Sequence, residues 1–171
     1  MASETVQAAL PPAVVERIER AAAKFPPGWR QSAVLEALTA VQEHNGGHLT
    51  VPLMDAVAEV LGMPPVAVYE VAGFYSMLET EPVGRHCIAV CTNLSCMLRG
   101  AEAIVAHLER RLGVRLGQST PDGFWYLKRE EECLAACCAA PVMQIDHRYH
   151  ERLTPEAVDA ILDDIEREAG R

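Results

Sequence analysis

The sequence predicts an α+β chain in two parts: a small helical bundle over residues 1–80, then an α/β domain over 81–171. Three observations lead there. Before residue 80, apolar side chains recur at helical spacing in four segments. From Glu81-Pro82-Val83-Gly84 onward, short β-type runs alternate with amphipathic stretches. Five of the six cysteines then fall in two short clusters, both inside the second part.

The first helix is expected in "PPAVVERIERAAAKF", where Val14, Val15, Ile18, Ala21, Ala22 and Phe25 form one stripe, with "PPG" at 26–28 as its stop. A second spans about 31–44, with Val34, Leu35, Leu38 and Val41 on one face and "NGG" closing it. The third carries Leu53, Met54, Val57, Val60 and Leu61 behind Thr50 as N-cap and Pro52 in the first turn. A fourth begins at "PPVAVYEVAGFYSML". None of these segments turns a ligand-type residue inward.

In the second part, "HCIAVC" has strand length. "GAEAIVAHLERRLG" reads as a helix with Ile104, Val105, Leu108 and Leu112 on one side and Gly113 past its end. "PDG" at 121–123 is a turn, "FWYLKRE" and "PVMQID" are strands, and "RYHERL" continues the last as a hairpin. Thr154-Pro155-Glu156 starts a final helix with Val158, Ile161, Leu162 and Ile165. The order strand, helix, strand, strand, strand, helix implies a sandwich around a right-handed strand–helix–strand unit.

Composition narrows the function. Half of the 171 residues are apolar, and no run approaches the ~20 residues of a membrane-spanning helix. The N-terminus lacks both a secretory and a transit-peptide pattern, so a reducing cytoplasm is expected. There, clustered cysteines point to metal or redox chemistry rather than disulfides. Net charge is −9, which argues against nucleic acid as a partner. No dinucleotide, triphosphate or nucleophile-elbow motif is present, so any second redox cofactor belongs to a partner. His44, His48, His86, His107, His147 and His150 show no paired metal-ligand spacing, and His107 is expected on the exposed side of its helix.

The cysteine pattern is C-x4-C at Cys91 and Cys96, then 36 residues, then C-x3-C at Cys133 and Cys137. Cys91 ends the first strand, Cys96 stands just before the helix, and the other pair lies in a loop between later strands. Both pairs thus lie at strand ends of one sheet. Four thiolates suit either zinc or an iron–sulfur cluster. Structural zinc sites favour C-x2-C knuckles, whereas x4 and x3 gaps spread the sulfurs as a 2Fe–2S core requires, two on each iron. Cys87 in a strand, and Cys138 next to Cys137, read as structural thiols.

Three stretches carry a resemblance: "GFYSML" at 73–78, "PVGRHCIAVCTNLSCMLRGAEAI" at 82–104 and "ECLAACCAAPVMQID" at 132–146. They resemble the NuoE-type small 2Fe–2S subunit in the NADH dehydrogenase module of respiratory complex I. The resemblance implies an N-terminal docking bundle and a thioredoxin-like domain holding one 2Fe–2S cluster on Cys91, Cys96, Cys133 and Cys137. It further implies an electron-transfer subunit of NADH:quinone oxidoreductase, catalytically incomplete alone. The cluster would exchange single electrons with FMN on an adjacent subunit that binds FMN and NADH. The place implied is the cytoplasmic peripheral arm of a bacterial-type membrane-bound complex, without membrane insertion. Related subunits serve NAD-linked hydrogenases and formate dehydrogenases. A zinc-stabilised interaction module is the reading from another class. One departure is Ala135, where the family often has glycine.

Overall fold

The computed structural model describes residues 10–129 and 133–171. The chain divides into two compact units, Met1–Pro82 and Val83–Arg171. The first holds α1 (Pro12–Ala22), α2 (Val34–His44), α3 (Val51–Leu61) and α4 (Pro65–Phe74), with a 3-10 turn at Arg30–Ala33 leading into α2. Each helix buries one stripe, so that Ile18, Leu38, Val41, Val57 and Val68 meet in one core. Gln42 binds the segment leaving the bundle: its amide donates to the Met77 carbonyl at 3.0 Å and accepts from Glu79 N–H at 2.7 Å.

Two details of the bundle differ from the sequence expectation. Helix α1 stops at Ala22, and Phe25 is 38% exposed rather than part of the buried stripe. The residue before a proline is pushed out of helical conformation, so Pro26 excludes Phe25 and the helix ends earlier. Thr50 has the extended backbone of an N-cap, but its side chain makes no cap bond; only its carbonyl engages, accepting from Met54 N–H at 3.0 Å.

The second unit is built on a five-stranded sheet in the order β2-β3-β1-β4-β5. Its strands are β1 (His86–Val90), β2 (Gln118–Ser119), β3 (Trp125–Leu127), β4 (Met143–Ile145) and β5 (Arg148–His150). Strands β1 and β3 run parallel, joined by the predicted helical crossover, and every other pair is antiparallel. A five-residue helix, α5 (Leu94–Leu98), opens that crossover. Two longer helices, α6 (Ala101–Leu112) and α7 (Pro155–Glu168), pack Ile104, Leu108, Val158 and Leu162 against Ile88, Val90, Leu127, Met143 and Ile145. Thr154 caps α7 as expected, its hydroxyl accepting from Ala157 N–H at 3.2 Å.

Three features had no counterpart in the sequence reading. One is the short helix α5 itself. Another is strand β2, whose two residues are too few to leave a periodic signal. The third is the conformation of the turn in the expected β4–β5 hairpin, which runs through Asp146 and His147, both with positive φ, in the manner of a type I′ turn. His107 also departs from expectation. It is not free in solvent but bonds Asp159 of α7 across the helix pair at 2.8 Å, because its place on α6 faces the neighbouring helix.

Candidate metal centre

Strand alternation sets up the site. Ile88 and Val90 point into the helix-covered core, so Cys87, Ala89 and Cys91 belong to the opposite face. Cys91 N–H donates to the Val142 carbonyl at 3.1 Å, extending the β1–β4 ladder by one step and fixing the cysteine at the strand end. Cys96 lies within α5 rather than ahead of the first helix, which turns its thiol back toward Cys91. Both are 1% exposed and share a small apolar cluster with Ala101, Leu134, Ala140 and Val142. The apolar side chains of α5 face the other way, with Leu94, Met97 and Leu98 at 67%, 41% and 73% exposure.

The second pair comes from the β3–β4 connection. Cys133 follows residues 130–132, which lie outside the described set, and Cys137 opens a 3-10 turn at Cys137–Ala139. Both are exposed, as is Cys138, while Cys87 is half-buried. Between them Ala135 adopts φ of 56°. Left-handed backbone is costly for a residue with a Cβ. The turn brings Ala135 N–H to 3.4 Å from Cys133 Sγ.

The four sulfurs of the predicted set share one neighbourhood. Burial pushes the Cys91 thiol up, but backbone N–H donors of Leu134 and Asn93 and the thiols of Cys96 and Cys133 outweigh it, leaving Cys91 below the ordinary thiol value. Burial and the contact with Cys91 push Cys96 up to about 11, with Val142 N–H opposing and the Cys137 charge adding to the rise. Among the described residues, no three His, Cys, Asp or Glu side chains converge as one metal ion would require. A 2Fe–2S core asks for something different: two sulfurs on each of two irons, and N–H donors to the sulfurs. The backbone donors of Asn93, Leu134, Ala135 and Val142 meet that second demand.

His86, at the other end of β1, bonds the Asp146 carboxylate, whose second oxygen accepts from Cys87 N–H at 2.9 Å. Among the described residues one charged side chain is buried, Lys128 at the end of β3, and sequence reasoning passed over it.

Residues 18–166 match the family model described as thioredoxin-like [2Fe-2S] ferredoxin. An E-type NADH-quinone oxidoreductase subunit of Rhizobium meliloti (strain 1021) is 47% identical over 148 residues, covering 86% of each chain. Its counterpart in Rickettsia bellii (strain RML369-C) is 45% identical over 140 residues, covering 82% of this chain and 83% of that one. Among solved structures, a chain of the NAD+-reducing [NiFe]-hydrogenase in the H2-reduced state is similar in fold, with a TM-score of 0.64 at 22% identity. That match takes in 76% of this chain and 22% of the hydrogenase chain.

Proposed function

The chain belongs to the thioredoxin-like [2Fe-2S] ferredoxin family, and from that premise we propose that it is the electron-transfer subunit of an NADH-quinone oxidoreductase, its one 2Fe–2S cluster held by Cys91, Cys96, Cys133 and Cys137. The single observation that supports the ligand set is the convergence of backbone N–H donors and neighbouring thiols on Cys91 and Cys96 at the end of β1. Such donors stabilise thiolates and the sulfurs they bind. When bound, the cluster supplies a site that accepts and returns one electron. The protein's own part is to hold four thiolates, shield two of them from water and aim amide dipoles at the negative charge. Cys87 and Cys138 stay outside the ligand set. Structural zinc gives way to the family assignment, which names the iron–sulfur group.

The finer reading extends this. Residues 1–80 form a docking bundle and residues 81–171 the cluster domain, in a peripheral arm of a larger assembly. The partner carries FMN and NADH, in keeping with the absence from this sequence of any dinucleotide fingerprint. No single helix among the described residues is long and apolar enough to cross a membrane. The test is electron paramagnetic resonance of the reduced full chain, with iron, zinc and sulfide counted on the same sample. The expected result is an S = ½ signal with iron and sulfide in the 2Fe–2S ratio, lost when Cys96 becomes serine. An unchanged signal and iron content in Cys96→Ser would overturn the ligand assignment.

A further inference from the structure

Helix α4 is apolar nearly all round, with Glu70 its one charged residue. A helix of that kind is expected to be covered on more than one side. The bundle covers the side of Val68 and Ala72. On the opposite side Val66 is 60% exposed and Phe74 78%. Glu70, Gly73 and Met77 are exposed with them, at helical spacings that make one stripe. Gly73 has no internal reason to be glycine: its φ is not positive, and a Cβ there would meet nothing within 4 Å. Glycine inside a helix weakens it relative to alanine, and in exchange lets another backbone come close. Charge singles out the same region. From Gln31 to Gly84 there is no Lys or Arg, while Asp55, Glu59, Glu70, Glu79 and Glu81 fall in α3, α4 and the segment after them. The first unit's Arg17, Arg20, Lys24 and Arg30 pair instead with Glu43, Glu16, Glu36 and Glu19 of α1 and α2.

We infer that the face of α4 formed by Val66, Glu70, Gly73 and Phe74 seats the FMN- and NADH-carrying partner, which meets it with an apolar ridge flanked by Lys and Arg. The inference rests on the electron-transfer reading above and narrows the docking bundle to one helix face. Phe74 is the anchor, since aromatic side chains buried at the centre of an interface carry much of its energy. Gly73 beside it is the notch into which the partner's backbone settles. Glu70 and the acids on either side set the sign of the rim. Opposite charge on a partner speeds encounter and fixes register, and like charge is turned away. The same negative rim opposes pairing of α4 with α4 of a second, equally acidic copy.

In the experiment, affinity-tagged full chain is isolated with its assembly, and FMN and iron are counted against it. The FMN-bearing partner is then released in high salt, and its rebinding to parent and variant chains is titrated over a range of salt. Phe74→Ala and Gly73→Leu should each weaken rebinding by about tenfold or more, which is about 1.4 kcal/mol. Glu70→Lys should weaken it and flatten its salt dependence. Gly73→Leu should meanwhile unfold at higher urea than the parent, because a helix former replaces glycine. Its weaker rebinding then cannot come from a weaker fold. All three variants should keep the paramagnetic signal of the reduced cluster. Unchanged rebinding by Phe74→Ala and Gly73→Leu would overturn the inference while leaving the electron-transfer reading standing. A parent that is dimeric alone, and monomeric as Phe74→Ala, would also overturn it and give the face to a second copy. An isolated assembly with neither FMN nor iron would overturn both.

Discussion

The two cysteine pairs are held in opposite ways. Cys91 and Cys96 are 1% exposed, fixed by a strand end and a helix, and packed among Ala101, Leu134 and Val142. Cys133 and Cys137 are exposed, on a connection whose middle residue has left-handed backbone. One half of the site is therefore part of the domain's core, and the other half is laid over it. A change in the first pair acts on the fold as well as on the cofactor. A change in the second acts on the cofactor alone.

Serine substitutions put that contrast to its hardest test. Cys91→Ser and Cys133→Ser should each abolish the cluster signal, but only the first should also unfold more easily once the cluster has been removed. A buried hydroxyl replacing a sulfur that packs in an apolar cluster costs about 1–3 kcal/mol, whereas an exposed position stays within about 0.5 kcal/mol. Equal denaturant midpoints for the two cluster-stripped variants would erase the distinction. Gly84→Ala probes what supports the buried half. A Cβ there would meet the Trp125 carbonyl carbon and oxygen at 2.5 Å, just where β1 enters beside β3. Crowding against backbone should cost at least ~1–3 kcal/mol, read by urea unfolding.

Ala135→Gly sharpens the exposed half. Relief of left-handed strain, less the added freedom of the unfolded chain, should stabilise by roughly 0.5–1 kcal/mol. Slower cluster loss under chelator would be the measured sign, and faster loss would show that the methyl group contributes packing. The smallest effect belongs to Cys138→Ser. With Cys138 exposed and outside the proposed ligand set, signal, iron content and midpoint should all match the parent. A lost signal would move the ligand from Cys137 to its neighbour.

Much of this was legible in the sequence because periodicity and punctuation agree there. The four bundle stripes, the Thr154 cap and the crossover between parallel β1 and β3 all follow from local pattern. The cysteine spacing pointed to the site for the same reason, since strand ends and turns set where thiols gather. What stayed hidden depends on partners distant in sequence. Helix α5 carries its apolar residues outward, so its hydrophobic pattern gives no buried stripe to read. His107 needed Asp159, 52 positions away, to reveal which side of its helix is covered. Lys128 shows its burial only in the folded sheet. Ala135 shows its left-handed conformation only in the folded turn.

The sheet's outer strands have a consequence for the chain's behaviour in solution. Its edges are β2, two residues long, and β5, three residues long and bearing Arg148 and His150. An edge that brief offers few unpaired backbone groups to a neighbouring molecule, and charge on it discourages register with a second copy. A domain that exposes Leu94 and Leu98 from one helix thus carries little risk of growing through its sheet.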